Sequence, residues 1–309
     1  MSKRNAIFIT GANGCVGRAM MHGFVSAGAK VFAGTRAGNS ADTEMISYVR
    51  MGTLPDLNDL TSVLGETDTV VHCAGLAHIK AGEDEELLDR FREVNVNGTV
   101  KLLRQAAASG VRRFIFISSI GVNGEQTHGV PFRPGDMPAP QAAYAISKFE
   151  AEQEILALSS KLNIEVVIIR PPIIVGAPPV GNIKTIANWI SKGFPIPFGQ
   201  LTENRRSYVK LDTLFSLVKT CAYHPSAPGN IFLVSEQNPV STCGLVEQVA
   251  DLVDLRARML PLPILFLRAI LLAMGKTKLL NQLTGDLEVD CSLTEKVLGW
   301  TASRNPKEN

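Results

Sequence analysis

The segment AIFITGANGCVGRAM (6–20) constrains this chain more than any other. A wholly apolar run, AIFIT, passes straight into three spaced glycines, Gly11, Gly14 and Gly17, and then into residues with helical spacing. Glycine lets the backbone turn sharply between strand and helix. It also lets an anion such as a pyrophosphate approach the helix N-terminus, where unpaired N–H groups and the dipole favour negative charge. A junction of this kind belongs to a parallel sheet covered on both faces.

The runs that follow fit such a sheet. VFAG (31–34), TVVHCA (69–74), FIFISS (114–119) and IEVVIIR (164–170) are short, apolar and rich in β-branched residues, as buried parallel strands are. Residues 15–28, 83–109 and 141–161 have helical spacing between them. The alternation predicts an α/β fold, a doubly wound parallel (Rossmann) sheet, over residues 1–170. After Arg170 the texture changes to RPPIIVGAPPVGN and KGFPIPFGQ, then helical stretches with one further strand at NIFLVS (230–235). Residues 171–309 therefore read as a smaller, mixed substrate-binding region that can return strands or helices to the first domain.

Composition narrows the function classes. Apolar residues make up 45% of the 309 and charged residues 19%, which suits a globular core. Lysine plus arginine number 31 against 29 acids, too balanced for a protein that grips nucleic acid. Five scattered cysteines without a CxxC pair, and an opening (MSKRNAIFIT) without a signal-like apolar core, predict a reduced, cytoplasmic protein. The five histidines are dispersed, and no metal site is expected. The most apolar stretch, 259–280, is opened by Pro261 and Pro263 and interrupted by Arg268, leaving no run of about 18 apolar residues for an integral membrane segment. It reads first as a buried or interface helix, and second as a membrane-surface contact flanked by Arg256, Arg258, Lys276 and Lys278.

QAAYAISKFE (141–150) carries the chemistry. Tyr144 and Lys148 stand four residues apart and share a helix face. Unperturbed, they titrate near ~10 and ~10.4. A cation about 5 Å from a phenolate at an effective dielectric of about 20 contributes about 3 kcal/mol, enough to make the phenol a proton carrier. The second strand of an NAD binder usually ends in an acid for the ribose 2′-OH. Here Arg36 stands in its place, which suits a 2′-phosphate and favours NADP(H); NAD(H) stays open if Arg36 is a surface cation. Asp56 can accept from the adenine amino group, cap a helix, or both.

The motifs GANGCVG, VVHCAG, NVNGTVKLL, FISSIGVNG, YAISK, RPPIIVG, NRRSYVKLDTL and VDCSLTEKVLGW follow one another along nearly the whole chain. In that order it resembles the extended short-chain dehydrogenase/reductases, and among them the nucleotide-sugar epimerase/dehydratase/reductase branch. The resemblance implies that Tyr144 exchanges the proton, that Lys148 lowers its pKa and bonds the nicotinamide ribose, that Ser119 (or the adjacent Ser118) orients the reacting oxygen, and that Asn95 supports the site. It implies a dinucleotide held by Gly11, Asn13, Gly14, Cys15, Val16, Gly17, Arg36, Asp56, Leu57, Cys73, Ala74 and Gly75 together with Tyr144 and Lys148, with His72 as a cofactor-wall contact. Arg206, or its neighbour Arg205, would grip a diphosphate, with Asn182, Pro197 and Gly199 on the phosphate and uracil.

The implied activity is NAD(P)-dependent oxidoreduction at C4 of a UDP-sugar, first as reduction of a UDP-4-keto-6-deoxy-N-acetylhexosamine in surface-polysaccharide precursor synthesis. A UDP-(N-acetyl)hexose 4-epimerase with tightly bound NAD is the alternative. Reductases of lipophilic ketones and a non-catalytic dinucleotide-sensing module stand further off. A homodimer paired through a four-helix interface is also implied. The chain departs from the branch at Ala142-Ala143 (usually Asp-Pro), Ala145 (Gly), Asn123 (Tyr) and Leu293 (Lys).

Overall fold

β1 (Ala6–Thr10) is buried at all five positions, because helices cover both faces of the sheet it belongs to. The computed structural model describes residues 5–38, 42–77 and 84–302. From β1 the chain continues through α1 (Cys15–Ser26), β2 (Lys30–Thr35), β3 (Ile46–Arg50), α2 (Thr61–Glu66) and β4 (Thr69–His72). A long helix follows, made of α3 (Asp84–Phe91), a π-helical turn (Arg92–Asn97) and α4 (Gly98–Ala108). Then come β5 (Arg113–Ile117), α5 (Ala143–Leu162) and β6 (Glu165–Arg170). The rest of the chain forms β7 (Ile173–Val175), α6 (Gly181–Ser191), β8 (Tyr208–Lys210), α7 (Leu211–Tyr223), β9 (Ile231–Leu233), α8 (Thr242–Leu252), α9 (Ile264–Ala273), α10 (Thr277–Thr284) and α11 (Ser292–Leu298).

Seven strands form one parallel sheet in the order β3-β2-β1-β4-β5-β6-β9, the expected doubly wound arrangement. The order reverses between β1 and β4, and a crevice opens at their carboxyl ends, where α/β sheets bind ligands. Strand alternation divides the core in two. Ile7 and Ile9 face α1 and α7, with Met20, Phe24, Leu214 and Leu217. Phe8 and Val70 face the other helical layer, with Leu64, Leu102, Phe114 and Ile155. α1 and α7 approach closely because position 23 is glycine: a Cβ there would stand 2.5 Å from the Phe215 ring, which meets Phe24 edge-on at 5.3 Å.

β9 and α7 come from beyond Arg170 yet complete the first sheet and its cover, and α11 joins them through the Thr294 hydroxyl, which donates to the Leu233 carbonyl at 2.8 Å. The remainder builds a small body of its own. β7 and β8 pair in parallel, and α6 and α8 pack Ile183, Ala187, Val246 and Val249 together. Sequence reading expected one strand after Arg170; β7 and β8 are two more, and β3 is a further strand that it did not foresee.

The apolar stretch 259–280 also differs from its first reading. It forms α9 and α10, and α9 buries only Leu267 and Leu271, leaving its other apolar residues exposed. Among the described residues no helix is long and apolar enough to cross a membrane, and no cluster of three His, Cys, Asp or Glu could hold a metal ion.

Candidate active site

The glycine loop fills the crevice between β1 and β4. Gly11 has φ +67°, and a Cβ on it would lie 3.0 Å from the backbone of Ala74 across the crevice. A Cβ at Gly17 would lie 2.1 Å from the Gly11 carbonyl oxygen. Gly14 starts α1 with no side-chain cap, and no acid stands in the first turn. Asn13 and Gly14 are exposed, Val16 partly so, and Cys15 buried. Uncapped amide groups beside a cradle that any side chain would fill suit a pyrophosphate. Cys73, Ala74 and Gly75 leave β4 on the facing wall, and burial pushes the Cys73 thiol up to about 12, so it stays protonated.

Beneath this cradle runs a buried polar line whose hydrogen-bond directions are all determined. Thr99 Oγ1 donates to the Asn95 carbonyl at 2.7 Å, so it accepts from His72 Nε2 at 2.9 Å. His72 Nδ1 then accepts from Thr10 Oγ1 at 2.7 Å, and that oxygen accepts the Ala74 N–H at 3.0 Å. Burial, aided by the charge of Lys148, holds the imidazole down to about 3, so it is neutral. His72 is thus not a cofactor-wall contact through its ring; it is fully buried behind the wall and links β1 to α4 through Thr99.

That turn places Asn95, which is fully buried. Its Oδ1 accepts the Leu76 N–H at 2.8 Å, and its Nδ2 donates to the Leu76 carbonyl and to Ser147 Oγ, each at 3.0 Å. Ser147 in turn donates to the Tyr144 carbonyl at 2.8 Å. The amide therefore pins the start of α5 against the segment leaving β4, and Arg92 reinforces the contact through Glu150 at 2.7 Å. Asn95 is a positioning residue in this geometry.

Lys148 is buried on α5, its Nζ donating to the Ile117 carbonyl at 2.9 Å and lying 4.3 Å from the Phe116 ring centroid and 6.0 Å from that of Tyr144. Gly75 leaves room for it: a Cβ there would come within 3.5 Å of Nζ and 3.2 Å of Asn95 Oδ1. Burial brings the ammonium down to about 8, opposed by Cys73 and Glu152, and pushes the Tyr144 phenol up to about 12. Tyr144 is partly buried, with its ring against Phe91 at 6.0 Å.

The two serines after β5 face different partners, as strand alternation requires. Ser118 is buried and donates to Glu152 Oε1. Ser119 is partly exposed, and its Oγ accepts the Gly121 N–H at 3.1 Å, leaving its proton without a partner among the described residues. A Cβ on Gly121 would touch both Ser119 Oγ and Ala145 Cβ, so Ser119 borders the start of α5. Glu152 also pairs with Arg170, Nη2 to Oε2 at 2.6 Å, both side chains being 2% exposed. Arg170 reaches Asn123 Oδ1 at 2.8 Å, and Asn123 Nδ2 donates to the Arg133 carbonyl. Asn123, where the branch has tyrosine, thus fastens the 123–133 loop to a buried ion pair. Sequence reading passed over this group, although an arginine closing an otherwise apolar strand calls for a buried partner.

At the outer end of the crevice Arg36 is exposed just past β2. The register pairs Thr35 with Arg50, so a second exposed guanidinium stands at the end of β3. Asp56 lies in a turn, its backbone N–H donating to Thr53 Oγ1 at 3.3 Å, with Leu57 bridged to Gly52. It does not cap a helix: Asp59 accepts the Thr61 N–H at 2.9 Å at the start of α2.

The substrate-side residues are less gathered. Arg206 is partly buried, and its Nη1 donates to the carbonyls of Gln282 and Gly285 at 2.8 and 2.9 Å, at the carboxyl end of α10. Arg205 is exposed and pairs with Glu288 at 2.8 Å. Gly199 packs on the Leu260 carbonyl, which a Cβ would meet at 2.8 Å, and Pro197 beside it is partly buried. Asn182 is exposed in the first turn of α6. A cavity of about 280 Å³ lies between the 123–141 loop and Asn281 of α10, lined by Asn123, Phe132, Ala139 and Gln141. A wider groove of about 1020 Å³, at Gly176, Asp212 and Arg256, includes none of the predicted site residues.

The sequence profile described as the NAD dependent epimerase/dehydratase family matches residues 7–233. A UDP-glucose 4-epimerase of Vibrio cholerae is 39% identical over 305 residues, covering 98% of this chain and 92% of that protein. The Bordetella bronchiseptica enzyme WbmG, solved with NAD and UDP, superimposes with a TM-score of 0.72 at 19% identity over 98% of this chain and 91% of that one. The UDP-glucose 4-epimerase of Thermotoga maritima, solved with UDP-glucose, gives 0.74 at 16% identity over 98% and 95%. At those identities the two solved structures speak for the fold alone, whereas the profile and the Vibrio relative speak for descent: the chain belongs to the NAD-dependent epimerase/dehydratase family, within the extended short-chain dehydrogenases/reductases.

Proposed function

We propose that this chain is an oxidoreductase acting at C4 of a UDP-sugar, and that its net reaction is reduction of a UDP-4-keto-6-deoxy-N-acetylhexosamine in the synthesis of surface-polysaccharide precursors. The observation that carries the reading is the placement of Tyr144 and Lys148 on one face of α5, opposite the glycine cradle and beside Ser119. Bound NAD(P) supplies or takes the hydride. Ser119 offers its proton to the ketone oxygen, and Tyr144 gives that oxygen its phenolic proton. A phenol that keeps its proton up to about 12 in the free chain is in the state that reduction requires. Lys148, charged below about 8, stabilises the phenolate left behind.

Arg36 and Arg50 together favour NADP(H), and so a cofactor that enters reduced and leaves oxidised. Arg206 would hold the diphosphate with the guanidinium nitrogens that α10 leaves free, and Asn182, Pro197 and Gly199 would line the nucleotide. The reading carries with it a cytoplasmic homodimer paired through a four-helix interface made partly from α5.

A second reading, 4-epimerisation with retained NAD, is favoured by the name of the Vibrio relative. Incubation with UDP-4-keto-6-deoxy-N-acetylhexosamine and NADPH separates the two: stoichiometric NADPH consumption supports reduction. Interconversion of UDP-GlcNAc and UDP-GalNAc without added cofactor selects the epimerase instead.

A further inference from the structure

α9 inverts the usual pattern of a surface helix. At 3.6 residues per turn, Leu267 and Leu271 lie one above the other and fill a small core with Leu201 and Leu280. The opposite side is apolar as well: Leu265 is 74% exposed and Phe266 64%, with Ile270, Leu272 and the following Met274 about half exposed. Arg268 is the one polar residue of the helix. A surface helix of a protein that meets only water carries polar residues there.

The flanks define what such a face can meet. From Leu255 to Gly285 the chain holds Arg256, Arg258, Arg268, Lys276 and Lys278 and no acid. All five are exposed, and among the described residues only Lys278 has an ion pair, to Glu125 at 3.2 Å. Backbone pairing sets the segment around Ile196 beside Met259, so exposed Phe194 leads into the strand-like stretch next to the one that enters α9. A second copy of this chain packing α9 on α9 about a two-fold axis would bring these cations face to face without a compensating acid in the segment. An anionic lipid surface complements both features, apolar centre and basic rim.

We infer that α9 docks this protein on the surface of a membrane containing anionic phospholipid, lying in the interface without crossing it. The substrate side of the molecule, where residues 194–199 run beside 258–260, is thereby held at the bilayer. The inference does not depend on the identity of the sugar.

The test is co-sedimentation of the full-length protein with vesicles of phosphatidylcholine containing 30 mol% phosphatidylglycerol. The expected result is binding at 0.1 M salt that is absent on pure phosphatidylcholine and weakens strongly at 0.5 M salt. Arg256→Gln with Arg258→Gln should weaken partitioning roughly thirtyfold, at about 1 kcal/mol for each cation. Leu265→Ser with Phe266→Ser should abolish it while turnover in solution is unchanged. A protein that stays in the supernatant with the anionic vesicles overturns the inference, as does equal binding to pure phosphatidylcholine. Dissociation of a solution dimer by the Leu265/Phe266 pair, seen by sedimentation, would identify the face as a contact between copies and overturn it too.

Discussion

The Thr10 hydroxyl donates to Nδ1 of His72 across 2.7 Å, tying the strand that enters the glycine loop to the strand that forms the facing wall. With Thr99 on its other nitrogen, itself bonded to the Asn95 carbonyl, the imidazole braces β1 and β4 against the helix behind them.

His72 should leave a signature in acid. Its folded value of about 3 lies below the ordinary 6.5, so between those limits the unfolded chain binds a proton that the folded chain refuses. Stability attributable to His72 is therefore present above pH 6.5 and falls by up to about 5 kcal/mol as pH drops towards 3. His72→Leu should flatten this limb in urea titrations and weaken dinucleotide binding several-fold, through a less constrained Thr10. An unchanged acid limb would mean that the ring is charged or exposed in the folded chain.

Burial of Lys148 carries a cost in stability. Below about pH 8 its charge is held inside the protein, and wild-type stability should rise with pH from about 8 to 10.5 as the unfolded chain alone keeps the proton. Lys148→Met should make the free protein more stable at pH 7 by about 2 kcal/mol, the burial term less about 1 kcal/mol for the lost bond to Ile117. The same change, like Tyr144→Phe, should lower kcat by about 10²–10⁴-fold. A less stable Lys148→Met protein in thermal melts would contradict the account.

Glu152 and Arg170 form a pair in which each partner is needed because of the other. Glu152→Leu or Arg170→Met alone leaves a buried charge uncompensated and should cost about 3–5 kcal/mol in urea unfolding. The double variant should recover most of that loss. Additive losses would show that the two side chains act independently.

Arg36→Ser with Arg50→Ser tests the cofactor preference. kcat/KM with NADPH should fall by about one to two orders of magnitude while that with NADH changes little, since on the proposed reading each guanidinium would meet only the 2′-phosphate. Equal losses with both cofactors would remove the argument for NADP(H).

What could be read in advance was local. AIFIT and FIFISS announced themselves as strands because both faces are buried, and the glycine cradle because its chemistry lies within seven residues. β3 escaped notice because ISYVR is an edge strand, half-buried and mixed in polarity. β7 and β8 have three residues each, and prolines mask the first. Arg50 beside Arg36, and Ser118 with Glu152 and Arg170, depend on strand register and on contacts between distant segments, which no spacing rule discloses. The helix-cap reading of Asp56 failed for a simpler reason: the next carboxylate, Asp59, is the one that meets the helix.

The last strand of the catalytic sheet, β9, arrives only with residues 231–233. A nascent chain that has reached residue 170 therefore contains Ser119, Tyr144 and Lys148 but not the strand that covers the outer edge of β6. Until some sixty further residues are made, that edge offers unpaired N–H and C=O groups to any passing chain. Protection of the β6 edge is thus acquired late, and a chain ending at Arg170 would carry an open parallel edge.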